Sequence, residues 1–138
     1  MKKILFVAMA SVLCGCASGI SNVQKDEYQS YEAKGYAVKE KEEGTAAVLG
    51  ILPGGGSFYT RNYGYGVVNL LFWPASILWD PISGVNGAES LNYHATMANV
   101  EKMRRKDLRA LDEQLALGNI DQTTYIVQKN EIAQKYEP

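Results

Sequence analysis

Residues 46–82 carry only two formally charged side chains, Arg61 and Asp80, and hold seven of the fourteen aromatic residues in the chain. No other stretch limits the fold as tightly. Its apolar pieces, 46–53 and 67–79, are separated by Gly54-Gly55-Gly56-Ser57 and by a turn rich in Tyr and Gly. Their eight and thirteen residues fall short of the roughly 20 a helix needs to cross a bilayer, and Pro74 interrupts the second piece. Two half-length apolar helices joined through glycines suit a hairpin that dips into one leaflet. Phe58, Tyr59, Tyr63, Tyr65, Phe72, Trp73 and Trp79 are then the membrane-contact residues, because amphipathic rings favour the headgroup region. The competing expectation is the buried core of a small soluble domain. So few charged residues are available to cover such a core that lipid contact is preferred.

Lys2 and Lys3, the apolar run 4–13 and the small residues after it follow the order and length of a secretory signal. A run of this length is too short for a permanent transmembrane anchor. Leu13-Cys14-Gly15-Cys16 resembles the lipobox of bacterial lipoproteins, which implies acylation of the Cys16 thiol and removal of residues 1–15. The remaining 123 residues then hold twelve basic and fifteen acidic side chains, a net charge near −3, with no basic concentration suited to nucleic acid. Cys14 leaves with the signal and Cys16 is blocked by lipid. The mature monomer therefore has no thiol for a disulfide or a Cys-based zinc site.

The apolar stretch itself resembles the TM2 domain, a two-helix membrane module, over about 35 residues. The residues that carry the likeness are Gly56-Ser57-Phe58-Tyr59, Gly64 and Gly66, Asn69-Leu70-Leu71, and Trp79-Asp80. Arg61 stands where that family usually has another glycine, and the helices are shorter. Independently of the family, Gly54, Gly55 and Gly56 after Pro53 permit positive φ and close backbone approach, and Gly64 and Gly66 let helix backbones meet. A phosphate cradle is the poorer reading, because no Gly-Lys-Ser/Thr follows.

Before this module, residues 16–45 are polar, with Lys39-Glu40-Lys41-Glu42-Glu43 near the end, and read as a lipidated tether holding short helical stretches at most. After it, Asp80-Pro81, Gly84 and Asn86-Gly87 supply turn signals. A long amphipathic helix is expected from Ala88 to about Leu117, interrupted by the basic triplet Arg104-Arg105-Lys106. Gly118 is placed to end it, Asp121 to cap a last helix over about 122–136, and Ile120 with Tyr125 to staple the turn. This tail resembles the SHOCT domain, a short helical hairpin, through Leu108, Leu111, Gly118-Asn119-Ile120, Tyr125, Lys129 and Ile132; Gln114 departs from it, and Leu115 stands beside it. The likeness implies oligomerisation or partner contact through Leu108, Leu111, Leu115, Ile120, Tyr125 and Ile132.

Catalytic patterns are thin. His94 is the only histidine, so a His-based metal cluster is ruled out and a Ser-His-Asp triad rests on that one residue. Glu89 lies five residues before it, a poor spacing for a shared ligand face. Asp80 beside Trp79 is a carboxylate at an apolar edge, better suited to turn capping than to acid-base work. Tyr59, Tyr63 and Tyr65 have no paired carboxylates of the kind glycan cleavage uses.

The expected architecture is mainly α-helical: signal peptide 1–15, tether 16–45, membrane-associated apolar hairpin 46–86, and a helical region 87–138 ending in a hairpin. The expected role is structural or interactive in an envelope, without catalysis or cofactor. Membrane lipid is the expected contact, with a protein partner or self-association beside it and no nucleic acid. Ala17 stands where Asp would favour inner-membrane retention in enteric-type sorting, so if the source is Gram-negative the outer membrane, facing the periplasm, is the expected location. The alternatives are a phage-encoded exclusion lipoprotein and an envelope enzyme.

Overall fold

The computed structural model describes residues 19–138; Cys16 and the signal segment lie outside them. These residues are mainly helical and form no strand, in six α-helices and one 3-10 turn. Helix α1 is Asn22–Ala33, α2 Glu43–Leu49, α3 Gly55–Tyr59 and α4 Tyr63–Leu71; the 3-10 turn Ala75–Leu78 follows, then α5 Asp80–Ala116 and α6 Gln122–Lys135.

Helix α5, 37 residues long, is the axis on which α1, α2, α3, α6 and the 3-10 turn pack, while α4 packs on α3. Its first turn holds Pro81, whose ring suits an early helical position that needs no N–H partner. The helix thus starts eight residues before the expected Ala88, and the boundary drawn at 86/87 falls inside it. Gly84 and Gly87, taken for turn signals, are interior helix positions instead. A Cβ on Gly84 would stand 2.8 Å from the Ala46 carbonyl oxygen, and one on Gly87 2.7 Å from the Thr60 hydroxyl. Close crossing by α2 and α3 is what requires these glycines.

Residues 19–45 are more ordered than their polar composition implies. Ser21 and Gln24 close a reciprocal capping box at the start of α1, and the helix runs beside α5 through Lys25–Glu89 at 3.0 Å and a Tyr93 hydroxyl donating to Glu27 at 2.7 Å. The chain reverses at Gly35, φ 75°, and residues 36–41 return extended along the flank of α5. An extended segment needs outside partners for its backbone. Asn92, Thr96 and Asn99, at i, i+4 and i+7 on α5, supply them. The Asn92 Oδ1 accepts from the Glu40 and Lys41 amides at 2.8 and 2.9 Å while its Nδ2 donates to the Lys41 carbonyl at 2.8 Å. The Val38 amide donates to Thr96 at 2.9 Å, and Asn99 Nδ2 donates to the Tyr36 carbonyl at 3.0 Å.

The turn after α5 is a Schellman motif with Gly118 at φ 73°, the Asn119 amide donating to the Gln114 carbonyl and the Gly118 amide to that of Leu115. Asp121 then caps α6 by accepting from the Thr124 amide at 2.7 Å. Helix α6 runs back antiparallel to α5, and its end closes a small core of Tyr31, Val100 and Tyr136, with Tyr36, Met97, Met103 and Ile132 packed around it. The Tyr31 hydroxyl donates to the Tyr136 carbonyl at 3.1 Å.

Candidate functional site

Between α2 and the first turn of α5 the usual polarity of a fold is inverted. Ser57, Asn69, Ser76 and Asp80 are buried, Asn69 and Asp80 at 0% exposure, whereas Leu71 is 75% exposed, Leu78 77% and Phe72 62%. Val48, Ile51, Leu52, Val67, Leu70, Trp73, Ile77 and Ile82 are also largely exposed. This many large apolar side chains exposed in one short module is unusual for a soluble monomer and suits an interaction face.

The interior of the module is a hydrogen-bonded knot drawn from four elements. Asp80 Oδ1 accepts from the Ser57 hydroxyl at 2.5 Å and from Asn69 Nδ2 at 2.6 Å; the same Nδ2 lies 3.0 Å from Ser57 Oγ. Asn69 Oδ1 accepts from Trp79 Nε1 at 2.8 Å, which leaves the indole body facing outward. Thr60 turns its hydroxyl back to the Gly56 and Ser57 carbonyls. Asp80 Oδ2 has no hydrogen-bond partner among the described residues. The arrangement ties α3, α4 and α5 together.

Glycines permit the close approach. A Cβ on Gly56 would stand 3.0 Å from the carbonyl oxygens of Ala46 and Asp80, and one on Gly50 2.5 Å from Pro81. Gly54 adopts φ 70° and meets the Gly66 carbonyl; Gly55 meets that of Leu49, and Gly66 lies under the Phe58 ring. Gly64 has open space around it, so close packing does not account for it. Arg61, where the TM2 resemblance expects glycine, sits at φ 62°. That conformation is the physical reason glycine suits the position.

The two expected apolar helices are broken into shorter pieces: α4 stops at Leu71 ahead of Pro74, and the 3-10 turn follows. No helix among the described residues is long and apolar enough to cross a membrane. Of the expected contact aromatics, Phe58, Tyr63, Phe72, Trp73 and Trp79 are exposed, and Tyr59 and Tyr65 half-buried. Sequence reasoning singled out these rings but missed the exposed aliphatic residues beside them. Their only signal was low local charge, which a buried core shares.

The residues assigned to partner contact lie elsewhere, along the α5–α6 pair. Leu111 is buried, and Leu108, Leu115, Ile120, Tyr125 and Ile132 are half-buried, so the fold itself uses this face. Leu117, Ile126 and Val127 stay exposed. Asp107 accepts from Lys135 and the Tyr136 hydroxyl, each at 2.8 Å; the lysine first, then the tyrosine, holds its carboxyl below the usual range. Backbone donation from Thr124 does the same for Asp121, and Arg105 with Arg104 for Glu101.

A separate polar cavity of about 260 Å³ lies between α1, the returning strand of chain and α5, lined by Lys25, Lys39, Tyr28, Glu32, Glu43 and Glu89 among others. Lys25 and Glu89 neutralise each other there. His94 is exposed, its ring edge-on to Tyr93 at 5.4 Å. No group of three or more His, Cys, Asp or Glu suited to a metal ion occurs among the described residues. No family model, curated protein or solved structure matches the chain.

Proposed function

We propose that this chain is a lipid-anchored envelope protein whose module 46–82 seats in one leaflet, and whose role is structural or interactive rather than catalytic. The inverted polarity of that module carries the reading. A bilayer interior offers backbone and side-chain polar groups no water, so they pair internally while apolar side chains face outward. Ser57, Asn69, Trp79 and the Oδ1 of Asp80 pair with one another inside, and Leu70, Leu71, Phe72 and Leu78 lie outside. Short helices suit insertion into the interface rather than spanning.

The position of Gly19 supports the same seat. Gly19 packs against Asn86 on α5, close to the module. A lipid on Cys16 is three residues earlier, at most about 11 Å of extended chain. Anchor and apolar face then belong to one end of the molecule. With Ala17 after the lipidated cysteine, the outer membrane is the proposed location in a Gram-negative cell.

Metabolic labelling with an alkyne fatty acid tests the anchor. Wild type is expected to be marked and Cys16→Ser to remain unmarked; equal labelling of both contradicts the assignment. Replacing Leu71 and Leu78 by Asn tests the seat, since the pair is expected to make the labelled protein's module accessible to protease in membranes. A module equally accessible in wild type overturns it.

A further inference from the structure

The two long faces of α5 have different occupants. One face carries Tyr93, Met97, Val100 and Leu111 and is covered by α1 and α6. The opposite face carries Gly84, Gly87 and Ala88 near its start, where α2 and α3 cross it. Eighteen residues further on, which is five full helical turns, that same face presents Lys102, Arg105 and Lys106, with Arg109 likewise following Leu91. These four side chains are exposed among the described residues. Arg105 pairs with Glu101, whereas Lys102, Lys106 and Arg109 form no ion pair among the described residues. Glu113 closes the far end of the stripe.

Helices α2 and α3 of the apolar module therefore lie on the side of α5 that also bears the unpaired cations, and α1 and α6 pack on the other. We infer that α5 lies along an anionic lipid surface, with Lys102, Arg105, Lys106 and Arg109 against headgroup phosphates and the module embedded beneath its first turns. Charge complementarity selects this occupant: a chain that is acidic overall once residues 1–15 are gone concentrates these cations on the face its apolar module shares. The inference rests on the proposed membrane seat, but it adds an orientation and a lipid class. The alternative is an upright α5, which would hold its end about 55 Å from the surface at 1.5 Å per residue.

The test places a fluorescent unnatural side chain at Leu117, which is exposed at the end of α5, in the whole protein purified from membranes. Energy transfer to a headgroup dye is measured in vesicles of phosphatidylcholine alone and in vesicles containing phosphatidylglycerol. In anionic vesicles the expected separation is about the width of one or two helices, roughly 10–20 Å. Lys102→Gln with Lys106→Gln is expected to shift the lying-to-upright ratio about 25-fold, at roughly fivefold per cation, and high salt to act in the same direction. A Leu117 remote from the dye in both vesicle types, or near it irrespective of lipid charge and of the double variant, overturns the inference and leaves the membrane seat standing. Failure to associate with either vesicle overturns the seat itself, and the inference with it.

Discussion

Asp80 shows why a single residue can be decisive for this module. Its buried Oδ1 accepts two short hydrogen bonds, from Ser57 and Asn69, so removing it strands two buried donors. Asp80→Ala is expected to cost about 2–3 kcal/mol on the principle that unmade buried hydrogen bonds cost more than made ones contribute. Asp80→Asn keeps an acceptor oxygen and places its amide where Oδ2 now lacks a partner, so it is expected to cost clearly less. Thermal unfolding of the two variants checks the order; equal losses contradict the knot. Arg61 gives a prediction of opposite sign. Its φ of 62° strains a side-chain-bearing residue, and its exposed pair with Glu40 at 3.2 Å contributes little. Arg61→Gly is expected to stabilise by about 0.5 kcal/mol after the added chain entropy of glycine, and Arg61→Val to destabilise by more than about 1 kcal/mol. A destabilised glycine variant would show that the ion pair outweighs the strain. The sequence pointed to Asp80 as an unusual carboxylate at an apolar edge, but its cage was illegible, because Ser57 and Asn69 reach it from other elements 23 and 11 positions away.

At the scale of elements, legibility followed locality. Gly118 and Asp121 act within four residues of themselves and were read correctly as the stop and the cap. The start of α5 was misplaced because Gly84 and Gly87 satisfy a packing demand set by α2 and α3, which has no local signature. The placement of segment 36–41 was likewise hidden: its partners Asn92, Thr96 and Asn99 lie more than 50 residues later. Asn92→Leu leaves the Glu40 and Lys41 amides and the Lys41 carbonyl without that partner, and is expected to open 36–41 to limited proteolysis while α5–α6 stays intact. Unchanged cleavage would mean the segment is held by something else. The α5–α6 closure carries a pH dependence of definite sign. Asp107 is depressed below its ordinary value by Lys135 and Tyr136. Its contribution is thus complete above the unfolded carboxylate range, about pH 4, and fades as pH falls through the lower folded value. Asp107→Asn is expected to flatten the fall of melting temperature below about pH 4; an identical acid slope in both proteins contradicts the assignment.

For the whole molecule, composition predicted a helical chain with an apolar centre but left the direction of its apolar side chains open. A run such as 67–79 looks the same whether it is buried or exposed, because periodicity does not distinguish a soluble core from a lipid-facing surface. Tertiary structure supplies the difference, with Asn69 and Ser76 turned inward and Leu71 and Leu78 outward. In the proposed seat, hydrocarbon would cover what water covers otherwise, and the helical body of α1, α5 and α6 would remain outside the acyl layer. Both tryptophans of the chain, Trp73 and Trp79, lie in this module, so intrinsic tryptophan fluorescence reports on the module alone. The direct test is quenching of that fluorescence in vesicles whose acyl chains carry bromine at graded depths, compared with quenching by iodide from the water. A module seated in one leaflet gives strong quenching by bromine placed near the headgroups, weaker quenching toward the bilayer centre, and little by iodide. Efficient iodide quenching with no response to brominated lipid would contradict it, and would make 46–82 a water-facing surface awaiting a protein.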